Sequence, residues 1–187
     1  MDRYVAFLRG INVGKKNRIN MKELSAALAD AGLSDVCTYI QSGNIIFSSE
    51  LGEAECSALI SETILDCFGI SVAAVLRTCR EVHDLIENDP YQPNEIEAAQ
   101  SANAEGESRY VCLYANNPAE AVAEKFKCIE QDADRCVLIG RDAYLLLSKS
   151  IRHSKLAALV QKAELSATVR NMETMNAILL LCENALK

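Results

Sequence analysis

Short apolar runs, broken by turns rich in glycine and asparagine, alternate along this chain with stretches of helical period. The order in which they come leaves few folds open. Residues 3–9 read as a strand through Tyr4, Val5, Ala6, Phe7 and Leu8. Residues 21–31 read as a helix, with Leu24, Ala27, Leu28 and Ala31 on one face and Asn20 and Glu23 at capping-box spacing. Residues 36–41 and 45–49 read as two strands turning at Ser42-Gly43-Asn44. Residues 53–68 form a helical pattern with Cys56, Leu59, Ile60, Ile64 and Cys67 on one face and Gly69 to end it. A fourth strand is read over 71–76. The order is β-α-β-β-α-β.

That order is read again further on. Residues 110–115 form a strand and 118–129 a helix with Pro118 near its first turn. A hairpin over 135–139 and 143–148 turns at Gly140-Arg141-Asp142, a helix covers 154–163, and a strand over 166–169 closes the set. A last helix runs from 172 to about 185, through Met175, Ile178, Leu179 and Cys182. The predicted fold class is α+β: two ferredoxin-like (βαββαβ) plaits in tandem plus a C-terminal helix. The first plait spans 1–78, a helix and acidic linker 79–108, and the second plait with the C-terminal helix 109–187. The repeat is one of topology, without sequence identity between the halves. Residues 89–108, with Pro90, Pro93 and Gly106, read as a mobile loop. Strands 4–8, 110–115 and 144–147 are apolar on both faces, so each second sheet face needs a cover. The other plait, the C-terminal helix or a second copy of the chain, as a homodimer, would supply it.

The 187 residues contain no run of about 18 apolar residues, and no apolar signal core follows Met1. The expectation is a cytoplasmic protein without a membrane partner. Eight cysteines lie inside apolar segments with no C-x-x-C pair, and His83 and His153 lack metal-ligand spacing to any of them. They are read as reduced, buried cysteines packing as small apolar residues. No metal site and no cofactor are predicted.

A formal charge of −7 conceals strong local asymmetry. Residues 1–22 carry six cations against Asp2, residues 81–107 carry eight acids and no Lys or Arg, and residues 148–174 carry five cations against Glu164 and Glu173. An acidic whole argues against sequence-blind nucleic-acid binding. A local basic patch is compatible with one phosphate-bearing ligand.

The patch begins at Arg9-Gly10-Ile11-Asn12-Val13-Gly14-Lys15-Lys16-Asn17, where the first strand ends. Glycines that let a ligand approach, several cations and free N–H groups at the start of the next helix are the ingredients of an anion cradle. The spacing is one residue short of a P-loop, Asn17 cannot replace its metal-binding hydroxyl, and G-x-G-x-x-G is absent. The candidate ligand-binding residues are Arg9, Gly10, Asn12, Gly14, Lys15, Lys16 and Asn17, joined by Gln41, Ser42 and Asn44 at the hairpin tip and by Arg170 and Asn171 before the last helix. The plainer reading makes them turn formers, a helix cap and a solvated edge. No catalytic constellation is visible: Ser42 and Ser150 have no evident base.

The motifs Y-V-A-F-L-R-G-I-N-V-G-K-K-N, M-K-E-L, T-Y-I-Q-S-G-N-I-I-F, S-K-L and T-V-R-N together resemble the bacterial domain-of-unknown-function family numbered 1697. The family's usual ending is similar to T-x-R-N-W, and Met172 stands where the tryptophan would. The resemblance implies two ferredoxin-like plaits and no established activity, substrate or catalytic residue. The leading expectation is a binding protein for a small phosphate-bearing or carboxylate ligand. A protein–protein interaction or scaffold role is the first alternative, and an unrecognised enzyme acting on a phosphorylated substrate the second.

Overall fold

The computed structural model describes all residues except Lys15, Lys127, Leu165 and 185–187. The fold is mixed α+β, with nine strands and seven helices among the described residues. The chain divides into two compact units: Met1–Asp84 with the chain from Asn176 onward, and Leu85–Met175.

In the first unit β1 (Asp2–Leu8), α1 (Met21–Asp30), β2 (Ser34–Tyr39), β3 (Asn44–Ser49), α2 (Glu53–Phe68) and β4 (Ala74–Thr78) follow one another. The sheet is antiparallel, in the order β2-β3-β1-β4. Tyr4, Ala6 and Leu8 of β1 alternate toward one face with Ile45, Phe47 and Leu76, against Leu24 and Leu28 of α1 and Ile60 and Ile64 of α2. The Tyr4 and Phe47 rings stack at 5.7 Å. The opposite face is buried too, through Val5, Phe7, Ile46 and Val75. This explains strands without polar alternation. Gly69 ends α2 in the left-handed conformation, with φ +66°.

The larger part of α3 (Cys79–Glu87), through Asp84, and the end of α7 (Met172–Asn184) complete this unit, and Cys79 and Cys182 are joined by a disulfide with a Cα–Cα distance of 5.8 Å. The expectation of reduced cysteines is corrected for this pair. They stand 103 residues apart in sequence, so no spacing rule pointed to them. Cys56, Cys112 and Cys136 are buried free thiols, but Cys37 and Cys67 are exposed. Cys67 therefore does not share the buried face of α2.

The second unit contains α4 (Pro93–Ala102), β5 (Arg109–Leu113), α5 (Glu120–Phe126), β6 (Cys128–Gln131), β7 (Asp134–Ile139), β8 (Asp142–Leu146), α6 (Lys155–Gln161) and β9 (Thr168–Asn171). Its antiparallel sheet has the order β6-β7-β8-β5-β9. Cys112, Tyr114, Leu145 and Leu147 pack on Phe126, Leu156 and Val160. The Tyr114 hydroxyl donates to the Val160 carbonyl at 2.9 Å. On the other face the Tyr144 hydroxyl donates to the Leu85 carbonyl at 2.9 Å, and the Tyr91 hydroxyl to the Tyr144 carbonyl at 3.0 Å.

Two expectations fail in this unit. The segment 89–108 is not one loop, because α4 starts inside it. Pro93 is the first helical residue rather than a breaker, and Glu95 Oε2 accepts the Gln92 N–H at 2.8 Å. An Arg135–Glu95 ion pair holds this helix to β7. The helix expected over 118–129 stops at Phe126, and β6 then pairs with β7. Asp132 and Ala133 make the reversal at φ +51° and +67°, a hairpin geometry usually signalled by Asn-Gly or Asp-Gly.

Candidate functional site

The opening loop leaves β1 under restraint from both sides. The Leu8 N–H donates to the Gly43 carbonyl at 2.8 Å and the Arg9 N–H to the Ala73 carbonyl at 3.0 Å. Gly10, Asn12, Gly14 and Asn17 then all adopt positive φ, between +48° and +69°. Glycine and asparagine are the residues that tolerate this region, so their recurrence encodes the path of the loop. Ile11 and Ile19 are buried and anchor its two ends.

Asn12 locks the loop. Its Oδ1 accepts the Ile19 N–H at 2.9 Å, and its Nδ2 donates to the Ile19 carbonyl at 3.1 Å and the Gln41 carbonyl at 2.8 Å. Its own N–H donates to the Asn17 carbonyl at 2.9 Å, and Asn17 Nδ2 returns a bond to the Gly10 carbonyl at 3.1 Å. The loop and the hairpin tip are therefore one assembly. At the tip, a Cβ on Gly43 would lie 2.7 Å from Ile11 Cδ1 and 2.8 Å from Leu8 Cβ, so only glycine fits there. Buried Asn44 donates to the Tyr39 carbonyl at 3.2 Å and to Ser42 Oγ at 3.0 Å.

The candidate residues divide by what they do here. Asn12, Asn17 and Asn44 spend side-chain amides on the loop and tip. Arg9 is half-buried, while Lys16, Gln41 and Ser42 are exposed. Lys15 lies outside the described residues. Arg18, also exposed, donates to the Gly14 carbonyl at 3.2 Å. Among the described residues, neither Lys16 nor Arg18 has a carboxylate partner within 4 Å. The expectation of free N–H groups at the start of α1 is corrected in part. Asn20 Oδ1 takes the Lys22 N–H at 3.0 Å, and Glu23 already stands in the first turn.

Two exposed apolar side chains sit in the same assembly, Val13 at 68% and Ile40 at 50%. Ile40 also has φ +50°, an uncommon and strained conformation for a β-branched residue.

Arg170 and Asn171 belong to the second unit. Arg170 is 8% exposed, and its Nη1 donates to Thr168 Oγ1 and the Val169 carbonyl, both at 2.8 Å. Burial lowers its guanidinium to about 10. Asn171 Oδ1 accepts the Thr174 N–H at 2.9 Å and caps α7. Sequence reasoning missed the first unit's counterpart, Arg77, 1% exposed and donating from Nη1 to the Leu76 carbonyl at 2.6 Å. An arginine inside the apolar closing strand was the available signal.

It also missed buried Asp134, which collects the Ser148 N–H and Oγ at 2.9 Å and Ser154 Oγ at 2.6 Å. Ser154 caps α6 by accepting the Ala157 N–H at 3.0 Å. These bonds tie β7 to the start of α6, and no histidine joins them among the described residues. Among those residues no group of three or more His, Cys, Asp or Glu side chains is placed to hold a metal ion. Among the described residues no helix is long and apolar enough to cross a membrane.

A solved structure titled as that of the conserved bacterial protein SP0830 from Streptococcus pneumoniae is similar throughout. It shows 22% identity and a TM-score of 0.75, and the match covers 98% of this chain and 99% of that one. At that identity the likeness speaks for the fold alone. No curated protein matches the chain. A family model described as "Protein of unknown function (DUF1697)" matches residues 1–144, and the chain belongs to that family.

Proposed function

We propose that the loop over 9–20 and the hairpin tip over 40–44 bind a small anionic, phosphate-bearing ligand in a cytoplasmic protein. Arg9, Lys16 and Arg18 supply the charge, with Lys15 beside them in sequence, and Gln41 and Ser42 offer polar groups at the tip. Each unit is read as a ferredoxin-like plait. The strand order β2-β3-β1-β4 supports this for the first unit, and β7-β8-β5-β9 with β6 added at the edge supports it for the second. The observation that carries the binding proposal is that Lys16 and Arg18 are exposed and, among the described residues, without a carboxylate partner, on a loop that Asn12 ties to Ile19 and to the hairpin tip. A rigid cationic loop loses little entropy when an anion settles on it.

Thermal melting against inorganic phosphate, nucleotides and sugar phosphates tests this. An anion at a hundredfold excess over its Kd adds about 2.7 kcal/mol to the native state. That gain is expected in the wild type and is lost in Lys16→Ala/Arg18→Ala. If no anion separates the two proteins, the reading fails. A second reading is favoured by Val13 and Ile40: exposed apolar groups beside cations also suit docking of a protein partner. Retention of a partner by wild type but not by Val13→Ser/Ile40→Ser, with no response to small anions, would favour it.

A further inference from the structure

The Cys79–Cys182 disulfide lies against a cavity of about 350 Å³ within the first unit. Arg80, His83 and Asp84 line it from α3, and Leu179 and Glu183 from α7. That volume lies in the range of small-molecule sites. Cys79 is half-buried and Cys182 only 2% exposed, so Cys79 is the more accessible half of the bond. Cys79 is also the first residue of α3, behind Thr78, whose Oγ1 accepts the Glu81 N–H at 3.1 Å.

We propose that Cys79–Cys182 is a thiol–disulfide exchange site, opened by a low-molecular-weight thiol that enters this cavity and so frees the end of α7 from α3. The incoming thiol loses its proton to water, and its thiolate attacks Cys79 Sγ. A new sulfur–sulfur bond forms as the Cys79–Cys182 bond breaks. The electron pair leaves on Cys182 Sγ, which takes a proton from water. A second thiol molecule then attacks the sulfur of the first, so that Cys79 leaves as a thiolate. Two external thiols are oxidised to one external disulfide, and both cysteines are reduced. Without the covalent link, this part of α7 keeps the packing of buried Ile178 and Cys182 but loses its bond to α3.

Peptide mapping of acid-quenched protein, purified without reductant, is the first test. The Cys79 and Cys182 peptides are expected as one linked species that separates after exposure to reduced glutathione. Separate peptides without reductant overturn the proposal. Chymotryptic cleavage at Leu179 and Leu180 is expected to be about tenfold faster in the reduced protein and in Cys182→Ser than in the oxidised protein. Equal cleavage makes the bond an inert staple. Leu179→Trp, which fills the cavity, is expected to keep the disulfide but slow glutathione exchange by about tenfold, since exchange depends on access to the attacked sulfur. An unchanged exchange rate overturns entry through the cavity.

Discussion

The two units meet the same problem at the end of their first strand and solve it in opposite directions. In the first, the Leu8 N–H donates to the Gly43 carbonyl at 2.8 Å; in the second, the Tyr114 N–H donates to the Arg141 carbonyl at 3.0 Å. The closing strands agree as well, since Arg77 stands opposite Val5 and Arg170 opposite Val111. Each arginine precedes a cap, Thr78 for α3 and Asn171 for α7. Beyond this shared frame, the first unit sends a loop to the tip through Asn12. In the second, the tip sends Arg141 Nη1 to the Ala115 carbonyl at 3.0 Å. The second unit makes its junction with a far shorter connection. The long basic loop is therefore an elaboration that the shared frame does not require.

Breaking the first unit's junction is expected to cost most. Gly43→Val adds backbone strain and a clash with Ile11 and Leu8, for about 3 kcal/mol or more in urea unfolding. Arg141→Ala at the corresponding place, which removes the bond to the Ala115 carbonyl, is expected to cost less, about 1–2 kcal/mol. Similar losses for the two would dissolve the comparison. Asn12→Ala comes next, at about 2 kcal/mol, because it leaves the Ile19 N–H without its acceptor and removes the bond to the tip. Faster proteolysis within 9–20 should accompany it.

Tyr114 sharpens the contrast, for the first unit has Leu8 at that register. Burial raises the Tyr114 phenol above its ordinary 10.0. The native state thus keeps a proton that the unfolded chain gives up. The contribution is fully present below pH 10 and lost as pH rises beyond it. Against Tyr114→Phe, the wild type should lead by about 1 kcal/mol at neutral pH, through the bond to Val160, and the lead should shrink above pH 10. Unfolding curves on either side of that pH decide it. The smallest effect belongs to Lys16→Ala/Arg18→Ala, expected to change unliganded stability by under about 0.5 kcal/mol, as exposed side chains usually do.

What could be read from the residues follows a simple division. Short apolar runs bounded by turn residues located most strands, and helical period located the long helices, because both signals lie within one stretch of chain. Asn171 as a cap was legible because the cap and its helix are adjacent. The Asn12–Gln41 contact was not, since it joins residues 29 apart whose meeting depends on the sheet register. Pro93 misled because proline breaks a helix interior but suits its first position. The turn at Asp132-Ala133 lacks glycine, so β6 left no signal. The Cys79–Cys182 pair shows the limit most plainly, because α3 and α7 come together only in the folded chain.

The composition of the first unit also bears on how the protein is made. Its frame leaves the ribosome first, yet its last segment starts at Asn176, after all of Leu85–Met175. At about 5–20 residues per second, those 91 residues take roughly five to twenty seconds to synthesise. Through that interval the early part of the chain must wait for the helix that completes it, with its sheet built but its final partner still untranslated.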